Sequence, residues 1–258
     1  MTQTADTITH SLHGALLALA LMVAPAAMAQ KGVTVTGSVQ SNVLVPQQDD
    51  KIGTGEIDDH FLTNTYAEAT LMSKHVDAGA RFEFMQFPLP GYESGFKGWG
   101  VPHLYAKLHY DKIDVTAGSF YEQFGSGFIL RTYEERSLGI DNSLLGGRIA
   151  YRPYKGISLK ALAGTQRVYW ELSKSAVWGG DVELALDQWI QPMQEGGTTL
   201  SLGASFVSRH EKDETIMTDM THRLNLPTDV GAFDVRANLQ THGFSLLAEY
   251  AMKGQDPN

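Results

Sequence analysis

Residues 232–240, AFDVRANLQ, and residues 244–253, FSLLAEYAMK, are separated only by Thr241, His242 and Gly243. In the first segment Phe233, Val235, Ala237 and Leu239 alternate with Asp234, Arg236, Asn238 and Gln240. In the second, Phe244, Leu246, Ala248, Tyr250 and Met252 stand against Ser245, Glu249 and Lys253. Successive side chains of a strand point to opposite faces, so each segment carries one apolar and one polar face. The pattern recurs back to residue 32 and predicts about eleven strands. They lie near 32–43, 65–73, 76–87, 102–110, 113–121, 145–153, 157–170, 177–187, 198–208, 232–240 and 244–253.

The connections alternate as well. The first (44–64), third (88–101), fifth (122–144) and ninth (209–231) are long. The second (Lys74, His75), fourth (Asp111, Lys112), sixth (Tyr154, Lys155, Gly156) and tenth (241–243) are tight. The seventh (171–176) is short against the trend, and the eighth (188–197) is intermediate. Outer-membrane barrels have long extracellular loops and short periplasmic turns, whereas a soluble sandwich has no reason to sort its loops by end. The expected fold is therefore all-β, an antiparallel transmembrane β-barrel with its mature N-terminus in the periplasm. An odd strand count is unusual for a single-chain bacterial barrel, and an open sheet would leave bare edges in lipid. Residues 30–258 are accordingly expected to be the N-terminal part of a larger barrel, truncated at the C-terminus.

The strand faces agree. In 102–110, Leu104, Ala106, Leu108 and Tyr110 alternate with Tyr105, Lys107 and His109. In 76–87, Ala78, Ala80, Phe82 and Phe84 alternate with Asp77, Arg81 and Glu83, and 198–208 follows suit. Strand 157–170 loses phase near Thr165–Val168, as a bulge would cause. Tyr110, Tyr154, Tyr121 and Trp170 fall near strand ends, where an interfacial aromatic girdle belongs, although strands are enriched in aromatics for other reasons too.

Composition fits export to an envelope. The chain has 258 residues, a hydrophobic content of 43% and no cysteine. Half of each barrel strand is polar, so this modest apolar content is compatible with a membrane barrel. No apolar run reaches the ~18 residues of a spanning helix. Residues 1–29 read as a signal peptide, with an apolar core at 14–28 and an Ala27–Met28–Ala29 cleavage site. Their n-region, however, lacks Lys and Arg and contains Asp6. The absence of cysteine excludes disulfides, thiolate metal sites and a lipoprotein anchor. The net charge of −9 and the lack of a basic stripe argue against nucleic-acid binding.

No catalytic pattern stands out, and neither enzyme activity nor a cofactor is expected. Phe124–Gly127 (FGSG) lacks the nucleophile-elbow setting and reads as a loop hinge. Asp49–Asp50 and Asp58–Asp59–His60 read as a solvated acidic loop. His75 and His242 fall in turns and His210 and His222 in a loop, so no metal cluster is expected. The candidate lumen-facing polar residues are Arg81, Glu83, Lys107, Arg148, Arg152, Lys160, Asp234, Arg236 and Glu249. Such charges either tune a pore or pair off to fill a narrow barrel. In the fifth connection Arg131, Glu134, Glu135, Arg136 and Asp141 form a second candidate cluster. It could constrict the lumen, contact a partner or stay solvated.

The stretch FYEQFGSGFILRTYEERSLGIDNSL (120–144), with LLGGRIAYRPYKGI (144–157) after it, resembles a family of exported Bacteroidota proteins of unknown function, predicted to be outer-membrane β-barrels. The resemblance implies location and architecture and carries no site residues. The expectation is an outer-membrane barrel, contacting lipid, that forms a passive pore for small solutes. The alternatives are a non-conducting barrel serving an envelope protein partner and a soluble exported β-sandwich.

Overall fold

Alternating sequence becomes antiparallel ladders. The computed structural model describes residues 32–53, 61–211, 216–217, 223–224 and 227–255. The expected signal peptide, Asp58–Asp59–His60 and His222 lie outside the described residues. The chain divides into two units, Met1–His109 and Tyr110–Asn258. In the first, β1 (Thr34–Leu44), β2 (Leu62–Met72), β3 (Val76–Met85) and β4 (Gly98–Tyr110) pair in sequence order. The β2–β3 turn is closed by Ser73, whose hydroxyl donates to the Val76 carbonyl at 2.7 Å and accepts the Val76 N–H at 3.0 Å.

The second unit holds β5 (Ile113–Phe120), the short β6 (Glu134–Glu135) and β7 (Ile140–Asp141), β8 (Leu144–Tyr151), β9 (Ile157–Val168) and β10 (Glu171–Ala185). Helix α1 (Gln191–Glu195) and β11 (Thr199–His210) follow. Next come the short β12 (Ile216–Met217) and β13 (Arg223–Leu224), then β14 (Asp229–Thr241) and β15 (Phe244–Lys253). The long strands run in the order β5-β8-β9-β10-β11-β14-β15, each antiparallel to its neighbour. The β14–β15 hairpin turns through His242 (φ 40°) and Gly243 (φ 82°), a left-handed pair that matches the twist of the flanking strands.

All eleven expected strands are present, so the all-β antiparallel reading holds. Beyond shifted strand starts such as β4 at Gly98, four details differ. β10 begins at Glu171 instead of 177, so the seventh connection shrinks to Tyr169 and Trp170. The irregularity expected in 157–170 is a register shift between Leu172 and Ala176, so the extra residues lie on β10 opposite the end of β9. His210 ends β11 and does not lie in a loop. Finally, the fifth and ninth connections carry the small hairpins β6–β7 and β12–β13.

Burial along the strands is inverted. On β14 Asp234 is 1% exposed, while its apolar neighbours Phe233 and Val235 are open to the surroundings. On β3 Arg81 and Glu83 are buried and Phe82 is exposed. A water-soluble sheet buries its apolar face, because uncovered apolar area and buried charge both cost free energy. Here the polar face is the inner one. Among the described residues no helix is long and apolar enough to cross a membrane.

Candidate functional site

The inner face of the second unit is laid out in rows set by the ladder register. One row runs Lys160, Asp181, Ser205, Asp234 across β9, β10, β11 and β14. The next runs Glu183, Gly203, Arg236, Glu249 across β10, β11, β14 and β15. Arg236 lies over Gly203, where a Cβ would come within 2.5 Å of its Nε, so the missing side chain makes the trough that holds it. From there Nη2 donates to Asp181 at 2.5 Å, and Nη1 donates to Ser205 Oγ at 2.6 Å and to Asp234 Oδ1 at 2.9 Å. Ser205 in turn donates to Asp181 at 2.7 Å, and half-exposed Glu183 stands 3.5 Å from Nη2. Arg236, Asp181 and Asp234 are almost wholly buried, so their charges compensate one another in a low-dielectric setting.

The fifth connection folds back over this face. Phe124 is fully buried and packs with Phe120, Leu130, Leu144, Leu162 and Val207. Gly179 makes room for it, since a Cβ there would stand 3.2 Å from the Phe124 ring. The expected FGSG hinge is instead a packed turn, with the Gly127 N–H donating to the Phe124 carbonyl at 2.9 Å. Its Gly125 (φ 53°) sits against Arg236 and Glu249. At its root Glu122 receives Arg148 and, at 3.0 Å, Lys160. Burial works against the charged carboxylate, but these two cations outweigh it and hold the Glu122 pKa below the ordinary carboxylate value.

The second candidate cluster is split by this folding. Asp141 turns inward, accepting Arg167 at 2.5 Å and the Tyr121 hydroxyl at 3.0 Å. Tyr121 is therefore an inner hydrogen-bond donor and not part of a girdle; Tyr110 and Tyr154 are exposed as a girdle requires. Arg136 pairs with Glu134 at 2.7 Å. Glu135 accepts the Ser137 hydroxyl and N–H, which lower its pKa. Arg131 stacks over Tyr133 at 4.7 Å.

The remaining expected residues are distributed. In the first unit Arg81 and Glu83 form a buried pair at 2.7 Å, and Lys107 stands opposite Asp77 in the β3–β4 ladder. Above them the third connection is anchored by a Tyr66–Tyr92 hydroxyl bond of 2.9 Å and by Asn64 Oδ1, which accepts the Leu89 N–H at 3.2 Å. In the second unit Arg152 pairs with Asp114 at 3.0 Å with its guanidinium largely in solvent. Sequence reasoning missed Glu122, Asp181, Ser205 and Arg167. Asp181 shares β10's inner face with Glu183, so phase alone could have found it. Glu122 and Arg167 sit at strand ends, where alternation has no hold.

Among solved structures the chain is similar to OccK2 (OpdF) of Pseudomonas aeruginosa, with 10% identity and a TM-score of 0.37, over 87% of this chain and 64% of that one. The chain thus spans just under two thirds of that protein's length. No curated protein matches it. A family description matches residues 9–258, nearly the whole sequence, and on that basis the chain belongs to the Family of unknown function (DUF6029).

Proposed function

We propose that this chain is an outer-membrane β-barrel that passes small solutes, its fifth connection folded inward to narrow the path. The supporting observation is the inverted burial. Trp178, Phe206, Phe233 and Val235 face outward, while Asp181, Ser205 and Asp234 are buried on the other side of the same strands, β10, β11 and β14. Lipid is the solvent that tolerates such an exterior, and a polar interior is what a water-filled path needs. The test is conductance of the folded full-length protein in planar bilayers, where discrete channels are expected. Absence of channels from protein that shows the heat-dependent gel mobility of a folded barrel would sink the pore reading.

A second reading has its own observation. The apolar cluster around Phe124 fastens the fifth connection to the inner face, as a plug would be fastened. A plugged, non-conducting barrel would serve as a structural partner for other envelope proteins, and the same conductance measurement separates the two.

A further inference from the structure

We propose that a cleft at the tight-turn end of the second unit binds the phosphate group of a small soluble solute. The pore reading supplies the route by which such a solute arrives, but the binding does not depend on it. The cleft has a volume of about 500 Å³, within the range of small-molecule sites, and Lys112, Arg152 and Lys155 line it. Lys112 lies in the β4–β5 turn, Arg152 directly follows β8, and Lys155 lies in the β8–β9 turn. A single acid, Glu183, shares the lining, and its carboxylate stands 3.5 Å from Arg236 Nη2. Three cations around one cleft run against the balance of a chain whose net charge is −9. Ser158 and Ser201, which also line it, lie opposite Glu183 and Ala185 in the ladders, so the cleft continues the inner face to the strand ends.

The backbone holds this cleft in shape without a ligand. The Arg152 N–H donates to the Lys112 carbonyl at 2.8 Å, which ties the two turns together. The Ala185 N–H donates to the Gly156 carbonyl at 2.8 Å and Trp189 Nε1 to the Lys155 carbonyl at 2.6 Å, so the β8–β9 turn is clamped to the end of β10. Gly156 (φ 82°) permits the clamp, since a Cβ there would fall 2.8 Å from the Ala185 carbonyl oxygen. Within this frame the donors are largely unspent. Lys112 donates to the Pro153 carbonyl at 2.9 Å, and Arg152 meets Asp114 through Nη2 with its side chain 58% exposed. Lys155 is exposed and has no ion pair among the described residues, and the hydroxyls of Ser158 and Ser201 have no partner among them either. A phosphate monoester carries close to two negative charges and three strong acceptor oxygens, so it can take donors from several sides at once. A carboxylate has only two oxygens, in one plane.

The test is a phosphorus NMR titration of methyl phosphate with the full chain folded in a neutral detergent, at constant ionic strength. A saturable shift is expected, with acetate at least about tenfold weaker as a competitor. Lys155→Gln and Lys112→Gln are each expected to raise the Kd about tenfold, the loss of one charge-assisted hydrogen bond. Lys174→Gln, at the end of β10 remote from the cleft, is expected to leave the Kd unchanged. If Lys112→Gln fails to fold for want of its Pro153 contact, Lys155→Gln decides alone. No saturable shift in the wild type, an unchanged Kd in a folded cleft variant, an equal loss in Lys174→Gln, or acetate competing as strongly as phosphate would each overturn the assignment. Phosphatidylglycerol added to the micelles is expected not to displace methyl phosphate; displacement would overturn the soluble solute in favour of a lipid headgroup. Conductance of the same preparation reports separately. Protein that binds methyl phosphate without conducting keeps the site and loses the pore, while protein that conducts without binding does the reverse.

Discussion

An arginine scan along β1 separates a lipid-facing strand from a water-facing one. Val35, Val39 and Val43 lie on one face of this eleven-residue strand, and Val39 is its sixth residue. All three are exposed, Val39 to 77%. So little of Val39 is covered that truncating it forfeits only a quarter of a full valine burial, about 0.4 kcal/mol. The outer residues sit four positions away, which at about 3.4 Å per residue and a tilt near 40° is about 10 Å along the membrane normal. If β1 faces lipid, Val39→Arg lies near the midplane and costs about 2–4 kcal/mol, whereas Val35→Arg and Val43→Arg near the interfaces cost about 0–1 kcal/mol. If β1 faces water, all three stay within about 0.5 kcal/mol of wild type. Urea titrations of protein folded into lipid vesicles, followed by tryptophan fluorescence, give the three values. A flat profile would refute the membrane assignment; a peak at residue 39 is the expected result.

Replacing Arg236 by Met strands the buried carboxylates of Asp181 and Asp234 and is expected to cost about 3–5 kcal/mol in the same titration. Adding Asp181→Asn and Asp234→Asn to that variant should recover most of the loss. Phe124→Ala empties a fully buried site at a cost of about 3–5 kcal/mol, and should make the fifth connection cleavable by an added protease while the strands stay intact. Because the folded-state pKa of Glu122 lies below its ordinary value of 4.5, its contribution is complete above that value and is lost as pH falls through the lowered one. Stability measured from pH 7 to pH 3 should therefore drop less steeply in Glu122→Gln than in wild type.

The strands were legible because alternation is a local property. A two-residue period places Asp234 beside Arg236, and Arg81 beside Glu83, on one face without reference to any other strand, and both pairs are ion pairs in the structure. Turn chemistry was local too: Thr241, His242 and Gly243 between two alternating segments could only be a hairpin. The start of β10 was hidden because Glu171–Ser175 crosses a bulge, which breaks the period that reveals a strand.

Sequence alone thus determined the eleven long strands apart from some of their ends, which face of each is polar where the period holds, and that the chain is an antiparallel all-β protein. Tertiary structure decided which polar residues meet. Asp181 reaches Arg236 only because the β10–β11–β14 register sets Asp181, Ser205 and Asp234 in one row, and a slip of one residue would have turned every one of them to the other face. The fifth connection carries no period at all, and its course over the inner face follows from where Phe124 finds apolar cover and where Glu122 finds Arg148 and Lys160. Those contacts join residues far apart in the chain, so their free energy exists only once the strands have assembled.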